Sequence, residues 1–226
     1  MKPAANPDPL AQLTEIRAIM DRSSRYLSLS GLSGVGAGVV ALAGAAVGHF
    51  YLKSHYSDGY LHLMQGSVQE RQAALPFLLL LSFVMIGVAL LVAYFFTQRR
   101  TKHDGQPMWN GPARRLVASL AVPLVVGGLF CLRLYLGSDA AMVVPGLLIF
   151  YGLALLNASK FTLDEIRWLG LTQIGLGLVC MLLPGWGLLF FALGFGLGHI
   201  GYGLVMYNRY ERPGTAGAAA NSAVVR

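Results

Sequence analysis

Two residues with the chemistry of acyl transfer stand far apart in this chain of 226 residues. Ser33 lies in the run SGLSGVGAGVVA (30–41) and His199 in GFGLGHIGYG (194–203). A serine hydroxyl becomes a nucleophile when an imidazole within hydrogen-bond reach takes its proton. The first run carries two further patterns. Gly36-x-Gly38-x-x-Ala41 has the spacing of a glycine turn that cradles a pyrophosphate, and Gly34-x-x-x-Gly38 that of a seam where two helix backbones meet. Which chemistry is available depends on the elements that hold these residues.

Those elements are apolar. Hydrophobic residues make up 55% of the chain and charged residues 12%, against a charged share of about 25% in soluble domains. Six segments, near 30–52, 75–97, 116–136, 140–156, 166–184 and 187–207, have the composition and roughly the length of a bilayer crossing, which needs about 20 residues of helix. The clearest, Leu75 to Thr97, holds no charge. About thirty residues precede the first segment, Asp8, Glu15 and Asp21 among them, which marks it as a retained helix rather than a secretory signal. The predicted fold is all-α, a polytopic transmembrane bundle of six spans.

In such a bundle the pyrophosphate reading has no support, because it needs a strand before the glycines and a βα alternation after them. Gly196-x-Gly198-x-x-Gly201 repeats the same pattern in the last span, as a glycine-rich membrane helix will do by chance. The seam reading is stronger. Gly34, Gly38, Ala41, Ala45 and Gly48 trace one small-residue stripe along the first span, and Gly187, Gly194, Gly198 and Gly201 trace a second along the sixth. Gly196 and Gly203 fall on nearly the opposite side of the sixth span, which points to packing on two sides.

Before the first span, Asp8-Pro9 has the form of a helix start. Leu10, Leu13, Ile16, Met20 and Leu27 then recur at helical spacing, which predicts an amphipathic helix lying on the membrane surface. Three regions follow: a tail and surface helix at 1–28, a six-helix transmembrane domain at 29–208, and a disordered tail at 209–226. Fourteen of the 17 Lys and Arg residues fall on the side of the termini, leaving Lys53, Arg71 and Arg133 on the other. This asymmetry predicts cytoplasmic termini in a bacterial inner membrane. It also assigns the net charge of +7 to lipid headgroups rather than to nucleic acid.

The remaining polar residues yield no site by spacing alone. The segment 53–73 reads as a solvated loop in which His55 and His62 lack the partners of a metal site. Cys131 and Cys180 both fall inside spans, so neither a disulfide nor a metal is expected of them. Thr162 and Glu165 have capping-box spacing at the start of the fifth span, and Trp109 reads as an interfacial anchor. No catalytic, cofactor-binding or metal-ligating residue is assigned.

Gly31-Leu32-Ser33-Gly34 is similar to the Gly-x-Ser-Gly of rhomboid proteases, and Gly198-His199-Ile200 resembles the region of their histidine. The glycines after His199 depart from the rhomboid spacing, the family's histidine-rich oxyanion segment is missing, and Ser33 lies early rather than late in the bundle. Helical rise separates Ser33 and His199 in depth by ~7–10 Å, too far for proton transfer. His199 and Gln173 are therefore candidate intramembrane polar residues, with His199 neutral and hydrogen-bonded to another span.

Three blocks resemble uncharacterised six-span bacterial integral membrane proteins that have no established activity. They are Leu13 to Arg17 running on to Ser28–Gly34, then Lys160–Arg167, and finally Leu193–Gly196 to Tyr207. The resemblance implies the architecture alone. The residues favour a non-catalytic membrane component that engages a cytoplasmic protein partner, lipid or a second copy of itself. A small-solute transporter is the alternative, and a Ser33/His199 protease the third reading.

With both termini cytoplasmic, a reporter enzyme that matures only outside the cytoplasm will be inactive when fused after Arg226. Activity of that fusion would overturn the topology.

Overall fold

The computed structural model describes residues 26, 29–103, 105, 107–137 and 139–212, and every regular element among them is helical. In chain order these are α1 (Gly31–His55), α2 (Tyr60–Gln65), α3 (Val68–His103), α4 (Gly111–Leu136), α5 (Val143–Ala158), α6 (Asp164–Leu182), α7 (Gly187–Phe191) and α8 (His199–Tyr210). A π-helical stretch, Ala192–Gly198, joins α7 to α8. Among the described residues six segments are long and apolar enough to cross a membrane: Gly31–His55, Val68–Lys102, Gly111–Leu136, Ala140–Phe161, Asp164–Leu182 and Pro184–Tyr210. Of the surface helix expected over 10–27, all but Tyr26 lies outside the described residues.

Bare backbone brings α1 against the sixth span. A Cβ at Gly38 would stand 2.6 Å from the Gly196 carbonyl oxygen, and one at Gly34 would stand 3.2 Å from the Gly203 Cα. From the other side, a Cβ at Gly203 would meet the Val35 nitrogen at 2.6 Å and the Gly31 oxygen at 2.7 Å. A second seam joins α5 to α6. Added Cβ atoms at Gly152 and Gly170 would each strike the other residue's carbonyl oxygen, at 2.6 and 2.8 Å.

The two stripes read from spacing divide differently in space. Gly34 and Gly38 face the sixth span, whereas Gly48 faces Leu81 of α3; Ala41 and Ala45 are buried. In the sixth span the glycines that meet α1 are Gly196 and Gly203. Gly194 is turned to Gln173 and Leu148, Gly187 to Tyr60, and Gly198 makes only ordinary contact with Leu169. Gly201 is exposed with nothing within 4 Å of an added Cβ, so its place in the stripe is corrected. The π-helical stretch is the reason: a wider turn shifts the angular position of every residue after it, and an even helical period misplaces them.

Helix starts follow local side-chain chemistry. Asn110 caps α4 by accepting from the Ala113 N–H at 2.9 Å, with Pro112 in the first turn. At α3 the Ser67 Oγ accepts from the Glu70 N–H at 3.2 Å while Glu70 accepts from the Ser67 N–H at 2.8 Å. This is a reciprocal capping box, and with it the helix begins at Val68, seven residues before the apolar run. The box expected at Thr162 and Glu165 does not form. Leu163 stands at the N-cap, Thr162 donates to the Tyr26 carbonyl at 2.8 Å, and Glu165 accepts from Arg209 and Tyr210. Partners from distant elements hold both side chains.

The segment 53–73 is likewise more than a solvated loop. Its helix α2 buries Leu63 and Met64 against Leu52, Ala74, Tyr135 and Ala140. Arg71 is 4% exposed and donates to the carbonyls of Tyr135, Gly66 and Gly137, while the Tyr135 hydroxyl returns a bond to the Arg71 carbonyl at 2.9 Å. A buried guanidinium needs such acceptors. Here it fastens the start of α3 to the end of α4.

Gly38→Leu and Gly152→Leu are each expected to destabilise the protein by about 3 kcal/mol, because the new side chain meets a backbone oxygen that cannot move aside. Gly201→Leu is expected to leave thermal unfolding in detergent unchanged. Equal melting of all three variants would show that the seams carry no stability.

Candidate functional site

Midway along the sixth span the π-helical stretch releases a backbone acceptor. The Gly194 carbonyl receives the Gln173 Nε2 at 2.8 Å from α6 and stands 3.3 Å from the His199 Nδ1 at the start of α8. A π turn widens the helix and frees a carbonyl from its regular partner, so that side chains can use it. Gly194 also has to lack a side chain, since a Cβ there would lie 2.5 Å from both the Gln173 Oε1 and the Leu148 Cδ2.

The hydrogen bonds fix the histidine's tautomer. A nitrogen that faces a carbonyl must carry the proton, so Nδ1 donates to Gly194, and in the neutral ring Nε2 then accepts from the Tyr151 hydroxyl of α5 at 2.6 Å. The imidazole is thereby bonded to another span. Tyr151, Phe191, Phe195 and His199 pack as a row of rings with successive centroids 4.8–6.2 Å apart, which closes the cluster on one side. Gln173 is completely buried, and its Oε1 has no partner among the described residues.

Ser33 takes no part in this cluster. Its hydroxyl donates to the Ser30 carbonyl in the first turn of α1. The contacts along the seam also keep the two residues at different depths: an added Cβ at Gly34 would meet the Gly203 Cα and one at Gly38 the Ile200 nitrogen, so His199 lies level with the part of α1 near Gly38 rather than with Ser33. Rotation keeps their side chains apart: α1 turns its glycines to the sixth span, and the His199 ring points to α5. No serine–histidine dyad is assembled.

A second group of polar contacts ties the elements together on the side of the chain's termini. Tyr26 donates its N–H to the Phe161 carbonyl at 2.7 Å and accepts from Thr162, with its ring buried among Ala113, Leu116 and Ala158. Burial raises the Tyr26 phenol above its ordinary value, opposed by the Arg100 guanidinium. Arg100 donates to the Leu29 carbonyl and, at 3.2 Å, to Glu211. Glu211 in turn accepts from the Ser30 hydroxyl at 3.0 Å and from the Gly31 N–H. Glu165, 5% exposed at the start of α6, accepts from Arg209 at 3.0 Å and from the Tyr210 hydroxyl. The last helix therefore runs past the expected boundary at 208, and Glu211 is part of the bundle rather than of a free tail. Around these contacts Arg99, Lys102, Arg114, Lys160, Arg167 and Arg209 are exposed.

No protein-family model, curated protein or solved structure matches the chain significantly. Spacing singled out His199 and Gln173 but not Tyr151, Tyr26 or Glu211. An intramembrane tyrosine carries no charge, and the other two stand outside the apolar runs, so hydropathy gave no reason to pair them across the chain.

Tyr151→Phe leaves the His199 Nε2 buried without a donor and is expected to lower stability by about 1–3 kcal/mol. In the double variant Tyr151→Phe/His199→Leu the loss is expected to be smaller than the sum of the two single losses, because Gly194 keeps Gln173 as its donor. Strict additivity in detergent unfolding would refute the coupling.

Proposed function

We propose that the protein is a non-catalytic, multi-pass component of the bacterial inner membrane that works through its cytoplasmic face. In this reading the N-terminal segment and the exposed basic rim engage a partner protein at the anionic lipid surface. The observation that carries the reading is the stitching of Tyr26 between the Phe161 carbonyl and the Thr162 hydroxyl. A tail with no role at the bundle has no need of a buried ring and two backbone bonds. Here the segment that follows 1–25 is anchored beneath α4, α5 and α6, with six exposed cations around it. Cations so placed are attracted to anionic headgroups by about 1 kcal/mol each, and they sit on the side that the distribution of basic residues assigns to the cytoplasm.

The seams at Gly34, Gly38, Gly152 and Gly170 also favour a static role, since backbones in contact leave no path for a solute between those helices. The transport alternative rests on one observation, the unpartnered Gln173 Oε1 beside the π-helical stretch. A buried acceptor at mid-depth is a place where a solute donor would bind.

A photocrosslinking residue at Trp109 or Lys160 in intact cells is expected to give a protein adduct of one discrete mass. That adduct should disappear on deletion of residues 1–25 and weaken in Tyr26→Ala. Absence of any adduct, together with Gln173-dependent solute exchange in proteoliposomes, would replace this reading with the transport one.

A further inference from the structure

On the side away from the termini, α1 and the sixth span separate. The close contacts end where a Cβ at Gly196 would meet the Leu42 side chain; beyond them lies a groove of about 740 Å³, open along one side. Its walls are Leu42, Ala45, Ala46 and Phe50 of α1 against Leu188, Leu189 and Ala192 of the sixth span. Tyr60 holds the far end apart: its hydroxyl sits where a Cβ of Gly187 would be, shielded and without a partner among the described residues. Small side chains at 45, 46 and 192 leave the groove unfilled from within the protein.

The end of the groove away from the seam is polar and carries both signs of charge. Lys53, His49, Ser57 and Asp58 line it, with the exposed Trp186 beside them. Gly59 creates this juxtaposition. Its φ of +57° lets the chain fold back until an added Cβ would lie 3.7 Å from the Lys53 backbone nitrogen, which returns the chain at Asp58 to the end of α1 that carries Lys53. Neither Lys53 nor Asp58 forms an ion pair with a described residue. Asp58 also borders a smaller polar pocket of about 210 Å³ with His62, Gln65 and Glu70.

From Leu42 to Lys53 the helix rises by ~16 Å, the depth of one leaflet's share of a hydrocarbon core about 30 Å thick. We propose that this groove binds one glycerophospholipid from the leaflet opposite the termini. An acyl chain lies along Leu42, Ala45, Ala46 and Leu189, and a zwitterionic phosphate–ammonium headgroup is held with its phosphate at Lys53 and its ammonium at Asp58. An ammonium phosphate ester satisfies both charges at once, which neither a purely anionic headgroup nor an apolar helix does. Trp186 stands at headgroup depth, where an amphipathic ring is favoured.

The test uses the full-length protein, delipidated in detergent and titrated with dioleoyl phosphatidylethanolamine or dioleoyl phosphatidylglycerol under native mass spectrometry. One phosphatidylethanolamine per chain is expected to bind about tenfold more tightly at this site than phosphatidylglycerol. Lys53→Gln and Asp58→Asn should each weaken that binding about tenfold. Ala46→Phe, which fills the groove from its lipid-facing side, should abolish it with no change in melting temperature. Phosphatidylglycerol held at the basic rim near the termini should respond to none of these three variants, so failure here stays separate from failure of the cytoplasmic-face reading. Equal retention of both lipids, insensitivity to all three variants, or a stable dimer that Ala46→Phe disrupts would overturn the assignment.

Discussion

In lipid, helices gain nothing hydrophobic by meeting one another, so what draws the first and last spans together has to be close contact itself. That contact is made by Gly31, Gly34 and Gly38 against Gly196 and Gly203, where carbonyls and Cα atoms lie where side chains would otherwise be. Van der Waals attraction falls steeply with separation, and removal of the Cβ layer lets it act between backbones. Much else rests on this single approach. It joins the two ends of the chain and places the π-helical stretch against α1. It also sets the level at which the two helices begin to part.

Polar groups buried inside such a bundle have no water to turn to, and their solutions recur across the molecule. Three clusters direct buried donors to carbonyls or carboxylates at breaks in regular structure. Gly194 serves Gln173 and His199; Tyr135, Gly66 and Gly137 serve Arg71; Glu211 serves Ser30, Gly31 and Arg100. The acceptors come from helix ends or from the π turn, since the interior of a regular helix has none to spare. Breaks in helical regularity and buried polar side chains are two aspects of one arrangement.

The two ends of the bundle therefore differ. On the side of the termini, Tyr26, Glu165 and Glu211 cross-link the starts and ends of several helices. On the far side, Arg71 makes a comparable fastening between α3 and α4, but α1 and the sixth span are splayed and wedged by Tyr60. One end is a tied platform beneath a basic rim, and the other carries an apolar cleft with charges at its mouth.

Composition and hydropathy alone determined the helical class, the six apolar segments and the asymmetry of basic residues, because these depend on transfer energies summed over whole segments. Spacing also found the small-residue character of the first span and the polar residues His199 and Gln173. It could not say which face of a stripe meets which neighbour. Gly196 and Gly203, which spacing put on the second packed side of the sixth span, are the glycines that meet α1, while Gly201 meets nothing; the π turn at Ala192–Gly198 lies between the two faces, and no residue type announces such a turn. Local motifs competed without a visible winner: Ser67 and Glu70 close a capping box, whereas the equally good pattern at Thr162 and Glu165 gives way to Tyr26, Arg209 and Tyr210. Those partners lie 44 to 136 residues away in the chain. Only the tertiary structure brings them within hydrogen-bond reach, and in a buried, water-poor setting a distant charged or backbone partner outweighs a local cap.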